Sequence, residues 1–293
     1  MKKHFLVTIS NDVNNLFGVR FICSFFNTTA EHQITLLHIC QQDNSDMART
    51  LNQMWKGPSV EAEAHLSAQA RKSINKAKEL LSQHQMTIDQ VMTKTFVERY
   101  GKVKDILTEG SHGFYDAIIL GKRASYALQW MFERPADETI RAIIKDSGCT
   151  TPLWICPDPL PERKNVLICL DGSENAYRAV DHVGYILAGQ DHQKITLLHV
   201  ETGTGSRSAA IFDRAEKILH EHTIVSARIR RDAVWGLSIA ATIQKEMNKG
   251  RYAVVALGLH GETQEQVKKF SLAGGTATKL INKAENFSLW CCP

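Results

Sequence analysis

The chain has no hydrophobic run long enough to cross a bilayer as a helix, and its opening apolar stretch is cut short by Ser10, Asn11 and Asp12, too early for a secretory leader. It has no block of lysine and arginine; the net charge of +4 is spread along the chain, which argues against a nucleic-acid partner. Its seven cysteines are odd in number and follow no spaced framework, which excludes a disulfide scaffold and points to thiols serving as small apolar residues in a reducing cytoplasm. Cys291 and Cys292 are neighbours rather than a CxxC pair. No Ser, Cys or carboxylate stands in a pattern that suggests a nucleophile with its base or a catalytic acid pair, so an enzyme is not expected. What remains is 43% apolar and 23% charged residues over 293 positions, enough to bury a core and to fill two domains.

The sequence repeats itself. "ITLLH" runs from Ile34 to His38 and again from Ile195 to His199. At the same spacing "FLVTISND" (Phe5 to Asp12) falls on "VLICLDGS" (Val166 to Ser173), each a short buried strand ending in a polar turn. Further on the spacing changes but the echo continues. "YDAIILGK" from Tyr115 matches "YAVVALGL" from Tyr252, and "PLWICP" from Pro152 matches "SLWCCP" from Ser288. The first copy is longer, with an insertion placed within Asp43 to Leu66 and leading into an amphipathic helix from Ala62 to Gln83. The proline-rich stretch Pro157 to Pro161 reads as the linker, giving domains 1–157 and 158–293.

In the second copy the expected elements are strands at 166–170, 195–200, 224–229 and 254–257 and a fifth in the tail. Helices are expected from Ser173 to Gly189 and over 208–222, 238–248 and 276–283. Strands that are apolar throughout and alternate with helices predict two tandem α/β domains, each a doubly wound, five-stranded parallel sheet. A ligand would then sit beyond the carboxyl ends of the strands. Three such ends carry suitable chemistry: Asp171-Gly172-Ser173, His199-Val200, and Gly258 to Gly261 followed by Gly274-Gly275-Thr276 at a helix start. Glycine lets backbone N–H groups approach phosphate, and a helix N-terminus adds free donors and a favourable dipole.

With "VLICLDGS", "ITLLHV", "VVALGLHG", "GGTATKL" and "LWCCP", the chain resembles a tandem member of the universal stress protein family. The resemblance implies a Rossmann-like sheet and, in the second copy, an ATP site, with or without Mg²⁺. Asp171, Gly172 and Ser173 would meet the nucleoside, Val200 the adenine, and Gly258, Gly261, Gly274, Gly275 and Thr276 the phosphates. The family's phosphate loop has nine residues between its second and third glycines; here thirteen separate Gly261 from Gly275, read as an insertion. The first copy lacks these features: Ser10 stands for Asp171, Ala124 for the second glycine, and bulky Tyr126, Trp130, Met131 and Phe132 follow. The expected role is a cytoplasmic stress-response protein that binds an adenine nucleotide in its C-terminal domain. The alternative is an interaction module of the same fold that binds none. The resemblance also implies pairing of the domains, or of two chains, through the edges of the fifth strands, where Trp154 and Trp290 match. His38 and His199 match too, and a packed, hydrogen-bonded histidine is favoured over a metal ligand.

Overall fold

A computed structural model describes residues 2–27, 31–40, 66–121, 151–202, 208–259, 280 and 284–293. The inserted segment up to residue 65, the loop from Lys122 through Phe132, and the stretch from His260 through Thr276 lie outside the described residues.

In the first half, β1 (His4–Thr8), α1 (Phe17–Phe25), β2 (Gln33–Cys40), α2 (Ala68–Gln83), β3 (Val91–Val97), α3 (Lys102–His112), β4 (Ala117–Gly121) and β5 (Leu153–Cys156) follow one another. The second half runs β6 (Val166–Leu170), α4 (Glu174–Leu187), β7 (Ile195–Glu201), α5 (Ser208–Glu221), β8 (Ile229–Trp235), α6 (Ile239–Gly250), β9 (Val254–Gly258) and β10 (Ser288–Cys292). The fold is α/β. The ten strands form one sheet in the order β3-β2-β1-β4-β5-β10-β9-β6-β7-β8. Within each half all neighbours are parallel; β5 and β10 meet antiparallel, Trp154 opposite Trp290. Each strand-5 edge is therefore taken by the other, so a second chain has no such edge to join; β3 and β8 are the outer strands.

The central strands are buried on both faces, which explains their unbroken apolar runs. One core gathers Phe21, Ile22 and Phe25 of α1, Val180, Val183 and Ile186 of α4, and the two tryptophans; the other lies on the opposite face around Leu6, Ile118, Leu167, Val255 and Leu289.

The join between halves is nearly symmetric. The indoles of Trp154 and Trp290 stack at 3.9 Å with an interplanar angle of 3°, both fully buried. Lys3 donates to Ala188 O (3.2 Å) at the C-terminal end of α4, and its counterpart Lys164 donates to Ser24 O in the last turn of α1. Each ammonium thus sits where the other half's helix presents unpaired carbonyls and negative dipole.

Two expected boundaries are corrected. The strand read at Ile224 to Ile229 begins only at Ile229, because Ser226–Arg228 forms a 3-10 turn. As an outer strand carrying Arg230, Arg231 and Asp232, β8 gives no apolar run to read. The helix expected from Ala62 starts at Ala68, where Ser67 is its N-cap and accepts from Ala70 N (3.1 Å).

Candidate functional site

In the second half β6 lies between β7 and β9. The chain leaves β6 toward one side and later returns to the other, so a crevice opens at the carboxyl ends of these three strands. Into it come Asp171, Gly172 and Ser173 after β6, His199 and Val200 near the end of β7, and Gly258 closing β9. Gly261, Gly274, Gly275 and Thr276 lie outside the described residues.

The turn after β6 is fixed by short-range bonds. Asp171 Oδ1 accepts from Ser173 N (3.0 Å), and Ser173 Oγ accepts from Ala176 N (3.2 Å), capping α4. Gly172 has φ +88°, a left-handed conformation that favours glycine. The helix expected from Ser173 thus has Ser173 as its N-cap and begins at Glu174. Beside the helix start, Glu174 is held by Arg214 of α5 through two bonds of 2.7 Å, and the Arg214 guanidinium lies 3.9 Å over the Tyr177 ring. The hydrogen bond from Arg214 lowers the Glu174 carboxyl's pKa. This pair balances a negative charge that would otherwise face an incoming anion. It escaped the sequence reading, because Arg214 reaches Glu174 from a different helix.

Gly258 has a tight structural role. A Cβ there would lie 2.6 Å from the Asn175 carbonyl carbon and 2.8 Å from Ala176 N. The end of β9 therefore rests on the first turn of α4, and glycine is required for that clearance whether or not phosphate binds. At Gly121 in the first half, the nearest atoms to a Cβ are Asn15 O at 3.6 Å and Phe17 at 3.9 Å, ordinary contacts.

His199 Nδ1 bonds Leu170 O at 2.8 Å, and His38 Nδ1 bonds Ile9 O at 2.8 Å. The same ring nitrogen meets the same strand-end carbonyl in both halves. Each histidine pins strand 2 of its half to the turn after strand 1, the packed role favoured from sequence. Among the described residues, no three His, Cys, Asp or Glu side chains gather where they could hold a metal ion. The buried thiols of Cys156, Cys169 and Cys291 are pushed up to about 12 by desolvation, which keeps them protonated and apolar in behaviour.

The equivalent crevice in the first half is built differently. Ser10 Oγ accepts from Asp12 N (3.2 Å), taking over the turn made by Asp171. Asp12 then accepts from Asn14 N (2.9 Å) and from Asn15 Nδ2 (2.8 Å), and Val13–Asn15 is a 3-10 turn. The α-helix begins only at Phe17, with no side-chain cap. Its start is drawn back by about one turn relative to α4, and a carboxylate occupies the approach.

The fold is a doubly wound α/β sheet with a crevice at a switch in strand order. Residues 162–286, most of the second half of the chain, match the model of the universal stress protein family. Over its whole length the chain is similar to a universal stress protein from Archaeoglobus fulgidus, with a TM-score of 0.60 at 15% identity, covering 99% of this chain and 97% of that one. It is also similar to a putative universal stress protein from Pseudomonas aeruginosa, with a TM-score of 0.52 at 15% identity, covering 99% and 92%. At these identities the likeness is one of fold. No curated protein matches the sequence.

Proposed function

We infer that the second half of the chain binds an adenine nucleotide, ATP with or without Mg²⁺, and that the protein acts as a regulatory or protective stress-response binding protein in the cytoplasm. It is not an enzyme in this reading; any hydrolysis would be slow and incidental. The supporting observation is the contrast between the two helix starts. The α4 terminus begins directly after the β6 turn and carries a neutral serine cap; Glu174 is tied to Arg214, and the Asp171 carboxylate accepts from Ser173 N. In the first half the corresponding helix is drawn back behind Asp12. An anion is favoured at an open helix N-terminus. In the second half Asp171 and its neighbours would face the nucleoside and the backbone at Val200 the base. Gly261, Gly274, Gly275 and Thr276 are the proposed phosphate donors from the following loop.

Calorimetric titration of Mg²⁺-ATP into purified protein, checked first for co-purified nucleotide, tests this. One nucleotide per chain is expected. Two per chain would show that the first crevice also binds. No binding, with no nucleotide released on denaturation, would overturn the reading in favour of an interaction module.

A further inference from the structure

β8 ends the sheet: among the described residues no strand pairs with its outer side. Gly236 N donates to Glu201 O of β7 (3.1 Å). Backbone groups alternate along a strand, so Arg230, Asp232 and Val234 also point their N–H and C=O toward β7, while Ile229, Arg231, Ala233 and Trp235 present theirs outward. That outward row is a template for another strand.

The side chains on this edge are complementary to themselves in one register. If a second β8 lies antiparallel with Arg231 opposite Arg231, Arg230 of each copy faces Asp232 of the other, twice. All outward-pointing residues then face outward-pointing residues, as an antiparallel ladder needs. Centring on residue 232 sets Asp232 opposite Asp232; centring on residue 230 sets Arg230 opposite Arg230 and brings Asp232 only to Arg228, which lies in the 3-10 turn before the strand and donates to Gln193 O. The Arg231 pair at the centre is already neutralised within each chain, by Glu216 (2.6 Å) and Asp213 (2.9 Å) of α5. The same register carries Trp235 and Leu237 of one copy, 64% and 89% exposed, toward the turn after Val225 of the other, itself 58% exposed. Large apolar side chains left in water at both ends of the strand would thus meet each other. The outer strand of the first half, β3, has Met92 and Lys94 at the positions of Arg230 and Asp232 and lacks this complementarity.

We propose that the β8 edge is an interaction surface for a second copy of this chain, joined antiparallel about Arg231 into an isologous dimer with a continuous sheet. Sedimentation velocity of the full chain across the micromolar range tests it, with circular dichroism to confirm that each variant folds. The unaltered chain should dimerise reversibly. Arg230→Asp alone and Asp232→Arg alone each replace two attractive cross-strand pairs with repulsive ones, and each should weaken the dimer by about tenfold or more. An equimolar mixture of the two variants restores both cross-strand opposite-charge pairs, although not the 2.6 Å Arg230–Asp232 ion pair within each chain, and should form a heterodimer. A chain that stays monomeric throughout overturns the proposal. So do single variants that dimerise as tightly as the unaltered chain, or a mixture that does not associate.

Discussion

Phe21 and His182 occupy the same position in the two halves, on α1 and α4, and both face the stacked tryptophans. Trp154 Nε1 donates to His182 Nε2 (2.9 Å), whereas the buried Nε1 of Trp290 has no hydrogen-bond partner among the described residues. The repeat explains the orphan: where symmetry would place its acceptor stands Phe21, whose ring lies edge-on at 6.4 Å. Replacing His182→Phe should orphan the second indole as well and destabilise the fold by about 1–3 kcal/mol, read from urea denaturation. Burial holds the His182 imidazole's pKa down to about 3, and that of His32, whose ring nitrogens have no hydrogen-bond partner among the described residues, to about 4. The unfolded chain takes up protons at these sites below about pH 6.5 while the folded chain does not. Their neutral-state stability is therefore complete above that pH and lost as pH falls through the window down to about 4, by up to about 1.4 kcal/mol per unit for each histidine. Urea midpoints should fall steadily from pH 6.5 to pH 4, and His182→Phe should flatten the slope. An unchanged slope would show that His182 is not a source of it.

At the scale of elements, β9 and the first turn of α4 are held together by the absence of a side chain at Gly258. Gly258→Ala should displace that turn and cost about 1–3 kcal/mol, with Gly121→Ala within about 0.5 kcal/mol of neutral, both measured by thermal or chemical unfolding. If the two cost the same, the clearance argument fails. Gly258 was legible in the sequence only as a strand-end glycine of the kind that serves phosphate; its contact with α4 depends on a helix some eighty residues earlier. Central elements were readable because burial on both faces writes itself as an apolar run: the boundaries of β6, β7, β9 and α4 fall within a residue or two of expectation. β8 was misplaced because an outer strand follows an alternating, charged pattern. The retreat of α1 behind Asp12 was not legible either, since "SNDVNNLF" and "DGSENAYR" both look like a turn followed by a helix.

In the whole molecule the repeat was visible in the sequence from "ITLLH" outward, but not that its last strands would lie antiparallel and fuse two sheets into one. The family resemblance implied pairing of domains or chains through those strands, and the matching Trp154 and Trp290 were equally consistent with packing on separate sheet faces. With the indole stack, the paired lysines and a shared core across the join, the two halves should unfold in a single calorimetric transition; two resolved transitions would show that the join is weaker than its burial implies. The join also sets an order in time. β5 is made early and its partner β10 only after β6 to β9 have been translated, about ten seconds later at ~5–20 residues per second. During that interval a first half that folds promptly carries a bare strand edge and an uncovered Trp154 indole, the kind of surface that recruits neighbouring chains. A nascent-chain chaperone, or a delay in folding of the first half, is therefore a need imposed by where in the sequence the covering strand was placed.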